Sequence, residues 1–339
     1  MASIRQSNME LLRIFAMFLI LIIHATSMSL GGLPTIEQSH NNFGYTYSFF
    51  FFYGLSSVGV NLFVLISGWF GIRPTLKSFF KLLFQVLFFT ILAFCVLIII
   101  DKDKYLNLNI FSYVFLIPSN QLWFVKAYLV LMILAPVLNT FAESCSSRQL
   151  LKTIIAFYVF QTIYGWCFAD STPWIGGGYS PISFLGLYLT ARYLRLYPQP
   201  WYRWGFAKLT GLFILIIFAL ALLSSFITYK GYPIAGRLYA YSSPFMICAA
   251  IILLIAFSRL KFQNNFINWV AISAFAVYLT HGNEIILRGY YALFIGKIIN
   301  NNSGIVFILL VFVFMLSVFS ISILLDKIRL YFWNIITKK

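Results

Sequence analysis

Three side chains in the first apolar stretch of the chain have the types and spacing of a reaction site. Glu10, Arg13 and His24 are separated by three and eleven positions. At about 100° per residue in a helix, His24 returns to within about 20° of Arg13, and Glu10 lies one turn from Arg13 on nearly the same side. Arg13 can bind a phosphate bidentately, and His24 can take a proton from an attacking hydroxyl. The structural alternative is an anchoring ion pair of Glu10 with Arg13, with His24 capping a neighbouring helix.

A second group of polar side chains lies near the carboxyl end of the chain. Tyr278, His281, Glu284 and Arg288 follow one another at intervals of three or four positions, so they share one face of the predicted ninth helix. In one interpretation Glu284 orients the imidazole of His281 for chemistry. In the other, Glu284 and Arg288 form an interfacial ion pair, and His281 is a buried hydrogen-bonding residue. The sequence leaves both interpretations open.

A basic strip follows the stretch from Ser67 to Gly71. Arg73, Lys77 and Lys81 recur every four positions, which predicts one positively charged helix face for an anionic partner. Lipid headgroups are the alternative partner. No metal site is predicted, because the four cysteines have no metal-ligand spacing; they are Cys95, Cys145, Cys167 and Cys248.

The elements that must position these residues are predicted from the composition. Of 339 residues, 61% are hydrophobic and 9% are charged, which excludes a soluble globular fold. Several apolar runs reach the roughly 20 residues that a membrane-spanning helix needs. We therefore predict an all-α, polytopic integral membrane protein with about ten transmembrane helices, at 9–30, 45–71, 79–100, 110–141, 150–169, 179–197, 207–228, 238–257, 267–287 and 304–325.

The distribution of Lys and Arg predicts the orientation of these helices. With both termini in the cytoplasm, most of the 24 basic residues fall in cytoplasmic loops, as the positive-inside rule requires. The net charge of +16 then reflects topology, and no nucleic-acid partner is predicted. We expect one domain over residues 1–339. The basic residues left in the outer half are Lys102, Lys104, Lys126, Lys230, Arg237, Arg288 and Lys297.

Five stretches in order along the chain carry a resemblance to a known family. They are Arg13 with His24 eleven positions later, Val58–Gly71 with its Ser-Gly-Trp ending, Gln121–Phe124 followed by Pro136, Tyr239–Pro244, and Ser273–His281. Together they resemble the acyltransferase 3 family of membrane O-acyltransferases over almost the whole chain. The likeness is closest to the stand-alone O-acetyltransferases of O-antigen and enterobacterial common antigen. One departure is the Arg-x-x-Arg pair of the family, where this chain has only Arg73, with Lys77 after it.

The resemblance implies an enzyme of the bacterial cytoplasmic (inner) membrane that moves an acetyl or other acyl group from cytoplasmic acyl-CoA, usually acetyl-CoA, to a sugar hydroxyl. The acceptor would be a surface polysaccharide or a lipid-linked sugar, and membrane lipids would surround the protein. The implied catalytic residues are His24, Glu10, His281 and Glu284, and the implied donor-binding residues are Arg13, Arg73, Lys77, Trp123 and Ser67.

Two alternatives remain open at this point. His24 can act as a general base on the acceptor hydroxyl, or it can carry the acyl group in a covalent relay. A different class of function is export of a polysaccharide or another anion, because basic residues in a multi-span bundle also suit anion passage. Inverted repeats would favour export, and the sequence has no visible internal symmetry of that kind.

Overall fold

The computed structural model describes residues 5–106, 114–115, 122–168 and 176–337, which contain helices and no β-strand. The predicted all-α class is therefore confirmed for these residues. The helices are α1 (Ser7–Ser29), α2 (Ile36–Asn41), α3 (Phe43–Phe70), α4 (Leu76–Ile100), α5 (Lys102–Tyr105), α6 (Trp123–Ser144), α7 (Ser147–Phe160), α8 (Pro181–Leu196), α9 (Phe206–Tyr229), α10 (Pro244–Ser258), α11 (Asn265–Ala271), α12 (Ala274–His281), α13 (Glu284–Ile286), α14 (Leu293–Asn301) and α15 (Gly304–Ile336).

The chain forms two compact units. The first comprises Met1–Arg73 and Phe124–Asn268, and the second comprises Pro74–Trp123 and Trp269–Lys339. Each unit therefore combines segments that are distant in the sequence. The residues of the α1 polar face, which we define as Glu10, Arg13 and His24, belong to the first unit.

Helix α3 is the centre of the first unit, where it packs against α1, α8, α9 and α10. In its most apolar window 78% of the residues are buried, against 44% in α1. Small residues permit the close packing, since a β-carbon at Gly59 would lie 2.9 Å from the carbonyl oxygen of Ala16, and one at Gly68 would lie 2.5 Å from that of Tyr188. The unit is thus built around a buried helix that α1 and α8 approach closely.

The second unit contains the broken span near the carboxyl end. Helix α12 ends at His281, and the direction changes by 72° between Asn265–His281 and Glu284–Asn301. Asn283 has an extended backbone, and its side-chain oxygen accepts the backbone N–H of Ile285 at 3.1 Å, which starts the next helix. The continuous helix predicted at 267–287 is therefore wrong.

Eight helical segments of the described residues are long and apolar enough to cross a membrane, or nine if the bent pair is one span. Two of the eight extend beyond the helices given above: the segment of α7 runs to Cys167, and that of α10 begins at Ala235. The span predicted at 179–197 is α8, whose 16 residues extend about 24 Å, less than the roughly 30 Å of hydrocarbon. Part of the span predicted at 110–141 lies outside the described residues. The predicted count of ten is not confirmed, although the apolar helices are those of a polytopic membrane protein.

Helix α15 carries extensive exposed apolar surface. Helix α15 has 33 residues, and only 22% of its most apolar window is buried within the protein. Exposed apolar side chains cover the rest, as expected where hydrocarbon replaces water.

Candidate active site

The α1 polar face lies on one uninterrupted helix, as predicted, because α1 contains all three of its residues. Glu10 is only 5% exposed and holds two guanidinium groups: its Oε1 is 3.1 Å from Nη1 of Arg5, and its Oε2 pairs with Nη1 of Arg13. A buried carboxylate is stable when it is paired and hydrogen-bonded in this way. Glu10 therefore fixes the orientation of Arg13, which retains partial exposure.

His24 lies about 16 Å further along the same helix from Arg13, at 1.5 Å per residue. Its side chain is partly buried. The neighbouring hydroxyls of Thr26 and Ser27 donate to the carbonyl oxygens of Ile22 and Ile23, at 2.9 and 2.6 Å. These hydroxyls are satisfied within the helix, which leaves His24 as the ionisable group of its second half.

A polar cluster anchors the first turn of α1 within its unit. The hydroxyl of Ser7 donates to Oε1 of Gln263 at 2.7 Å and accepts the backbone N–H of Asn264 at 2.9 Å. The amide of Asn8 donates to the carbonyl oxygen of Phe257 at 3.0 Å. The turn that leads to Glu10 is therefore held by the end of α10 and by the segment that follows it.

The second predicted group is divided by the helix break. His281 is 1% exposed, and its Nδ1 donates to the carbonyl oxygen of Val277 at 2.5 Å, which in the neutral ring leaves the lone pair on Nε2. Glu284 begins the next helix, where its Oε1 is 3.3 Å from Nε of Arg288 in an exposed ion pair. The common face predicted for Tyr278, His281, Glu284 and Arg288 is therefore wrong.

A cavity of about 320 Å³ adjoins His281 in the second unit. Its walls are apolar and aromatic apart from the hydroxyls of Thr280 and two tyrosines and the imidazole of His281. The lining residues are Thr280, His281, Ile286, Tyr290, Tyr291, Phe294, Phe314 and Val318.

The predicted donor-binding residues are distributed over both units. In the first, the Ser67 hydroxyl donates to the carbonyl oxygen of Phe63 at 3.0 Å and lies 3.1 Å from the Tyr128 hydroxyl, and Arg73 is exposed in the non-helical stretch before α4. In the second, Lys77 is exposed in the first turn of α4, and Trp123 is the partly buried first residue of α6.

The basic strip is shorter than predicted. Helix α4 begins at Leu76, so only Lys77 and Lys81 share its face, and the helical strip that included Arg73 is wrong. Pro74 is the physical reason, because the residue before a proline is disfavoured in the helical conformation.

A buried ionic cluster in the second unit is absent from the predicted site residues. Asp326 is fully buried and pairs through Oδ1 with Nη2 of Arg329 at 2.7 Å, while Nε2 of Gln85 donates to the same oxygen at 2.8 Å. The sequence signal for this cluster is an acidic and a basic residue, Asp326 and Arg329, three positions apart after the last apolar run. The sequence predicts that this run ends at residue 325, which places Arg329 in a cytoplasmic flank.

Comparison with known proteins places the chain in a family. The family model of an acyltransferase domain matches residues 6–327, which is nearly the full length. The chain belongs to the acyltransferase 3 family. No curated protein and no solved structure matches it.

Membership of the acyltransferase 3 family identifies the protein as a membrane acyltransferase. The matched segment runs through both compact units and contains every predicted site residue from Glu10 to Glu284. It also includes Asp326 and ends before Arg329. The boundaries of the single domain expected over 1–339 stay a prediction.

Proposed function

We propose that this acyltransferase 3 protein transfers an acetyl group from cytoplasmic acetyl-CoA to a hydroxyl of a surface polysaccharide or a lipid-linked sugar. The observation that carries the proposal is the α1 polar face, which joins a fixed arginine to a histidine along one helix inside the family-matched segment. The protein would resemble the stand-alone O-antigen and enterobacterial common antigen acetylases of the bacterial cytoplasmic membrane.

The reaction follows from the chemistry of these side chains. Arg13 binds a phosphate of the donor, and the extended pantetheine arm carries the thioester along α1 toward His24. The imidazole takes the proton of the acceptor hydroxyl, whose oxygen attacks the thioester carbonyl carbon. The carbon–sulfur bond then breaks, and the thiolate of coenzyme A recovers the proton from the imidazolium. The products are a sugar ester and free coenzyme A.

The other predicted site residues have proposed roles in the same acyl-transfer reaction. Ser67 and Arg73 of the first unit contact the donor, and the same role for Lys77 and Trp123 of the second unit stays a prediction. His281, which lines an aromatic cavity, is a second candidate base. The exposed pairing of Glu284 with Arg288 supports an anchoring role for Glu284, so full turnover by Glu284→Gln is the expected result.

The decisive experiment compares cells that lack the endogenous gene and produce either the wild type or His24→Ala at equal membrane abundance. We expect acetyl ester on the glycan with the wild type and its loss with His24→Ala, because the hydroxyl then has no base. His40→Ala is the matched control, since His40 is exposed in α2 and contacts the carbonyl oxygen of Tyr229, the last residue of α9.

Export is the competing function. Glycan acetylation that persists without the gene, together with altered glycan export, would contradict acyl transfer and favour the exporter. Acetylation by His24→Ala at the wild-type level would contradict the assigned base and leave the transferase intact.

A further inference from the structure

The chain leaves α3 through a turn that is packed against a buried arginine. Gly71 has φ +74°, in the left-handed region that favours glycine. A β-carbon at this position would lie 2.9 Å from Nη1 and 3.3 Å from Cζ of Arg192, a residue of α8. The absence of a side chain at Gly71 therefore allows a guanidinium group to lie directly against the backbone of the turn.

The next residue of the turn is held by two side chains from other helices. The backbone N–H of Ile72 donates to the Tyr188 hydroxyl at 2.7 Å, and that hydroxyl donates to Oδ1 of Asn139 at 2.8 Å. Nδ2 of Asn139 in turn donates to the carbonyl oxygen of Ile72 at 2.8 Å. This closed ring fixes the peptide immediately before Arg73. The turn is thus a rigid support for a basic residue.

Arg192 is a buried cation with incomplete compensation. The residue is 7% exposed, and its Nη2 lies 2.7 Å from Oε1 of Glu143, whose side chain is 49% exposed. Nε of Arg192 is buried and has no hydrogen-bond partner among the described residues. A guanidinium has five N–H donors, and a buried one is unfavourable unless those donors and its charge are matched. The arrangement favours an additional anion.

Two further arginines of the same unit lie close to Arg192 or Gly71 along the chain. Arg73 is exposed two positions after Gly71, and Arg195 is exposed on the next turn of α8, with its Cζ 5.1 Å from the ring centroid of Trp69. Among the described residues, the carboxylate that pairs with Arg192 is that of Glu143. That carboxylate can rotate into solvent because it is half exposed, so an incoming anion can replace it.

We propose that Arg73, Arg192 and Arg195, here called the arginine site, bind a phosphate group of the acyl donor, and that Glu143 pairs with Arg192 until the phosphate displaces it. The planar guanidinium of Arg192 suits bidentate phosphate binding, which an ammonium group cannot provide. This inference rests on the proposed function, because it names a further contact for the same donor.

The test measures binding of coenzyme A and of pantetheine, which lacks phosphate, to the purified full-length protein in neutral detergent. We expect Arg192→Gln to weaken coenzyme A binding about ten- to hundredfold, the effect of losing charge-assisted hydrogen bonds, and to leave pantetheine binding unchanged. Arg203→Gln is the matched control, because Arg203 is exposed and its replacement changes the net charge equally. Its effect should stay within about threefold, as for an exposed charge.

Glu143→Gln should have the opposite effect on coenzyme A binding. Removing the competing carboxylate should tighten coenzyme A binding severalfold, and the gain should shrink at high salt because charges are screened. If Arg192→Gln does not fold, two other variants test the inference. Arg192→Lys should bind coenzyme A more weakly than the wild type, and Glu143→Gln should bind it more tightly. Weaker coenzyme A binding by Glu143→Gln would mean that the ion pair is structural and would overturn the inference.

The remaining outcomes separate the inference from the proposed function. Equal coenzyme A binding by the wild type and Arg192→Gln, or an equal loss of pantetheine binding in the variant, overturns the arginine site and leaves the donor assignment intact. A wild type that binds no coenzyme A overturns the donor itself. Binding that depends on Arg192 for phosphatidylglycerol micelles but not for coenzyme A would identify a lipid headgroup site and overturn the donor role.

Discussion

At the scale of single residues, the central feature is the carboxylate of Glu10, which two arginines share. Arg5 is 44% exposed in its side chain and Arg13 is 24% exposed, so the two ion pairs differ in their contact with solvent. An exposed ion pair contributes at most about 1 kcal/mol. The less exposed Arg13, on the face that leads to His24, is therefore the arginine that we expect to act on the donor.

Replacing each arginine tests this distinction. Arg13→Ala should weaken coenzyme A binding about tenfold or more, because a charge-assisted hydrogen bond to phosphate is lost. Arg5→Ala, which also removes one partner of Glu10, should change the dissociation constant less than about threefold. Titration calorimetry on the purified variants measures both constants. Equal effects of the two substitutions would show that Arg13 serves only to anchor Glu10.

Individual residues also mark what the sequence could predict and what it could not. The sequence could predict the shared face of Arg13 and His24, because eleven positions correspond to about three helical turns and no helix-breaking residue lies between them. The side-chain cap of Asn283 overrode the periodicity that joined His281 to Glu284. The burial of Asp326 depends on Gln85, which is 241 positions away, and no local pattern encodes such a contact.

At the scale of elements, the break between α12 and α13 depends on one side chain. Asn283 Oδ1 accepts the backbone N–H groups of Ile285 and Ile286 at 3.1 and 3.5 Å. Asn283→Ala should therefore lower the free energy of unfolding by about 1 kcal/mol, the usual contribution of such a cap. Asn283→Ser, which keeps an acceptor, should recover most of it. Thermal unfolding in detergent is the measurement, and an unchanged midpoint for Asn283→Ala would assign the break to Gly282.

The ionic cluster of the second unit joins α4 to α15. Asp326→Leu should lower the free energy of unfolding by about 3 to 5 kcal/mol, because it leaves the guanidinium of Arg329 buried without its charge partner. The double variant Asp326→Leu with Arg329→Met should recover most of this loss, since both charges are then absent. Lys297→Met, at an exposed position, is the control for loss of one charge. A double variant as unstable as the single one would contradict this account.

At the scale of the whole molecule, the number of crossings is tied to the position of the termini. A chain with both termini in the cytoplasm crosses the membrane an even number of times. If the bent pair is a ninth span, α8 must therefore cross as a tenth. Reporter fusions test this topology. A phosphatase fused after Gly205 should be inactive and one fused after Gly231 active, because Arg192, Arg195 and Arg203 favour the cytoplasm for the segment after α8. Activity at Gly205 would contradict the predicted orientation of α8.

The length of α15 has a practical consequence. Its 33 residues extend about 50 Å, and bringing that length within 30 Å of hydrocarbon would take a tilt of about 53°, beyond the range of transmembrane helices. Part of α15 therefore projects from the bilayer as a rigid rod. A helical fusion partner continued in register from this rod would add a rigid orientation mark for electron cryomicroscopy.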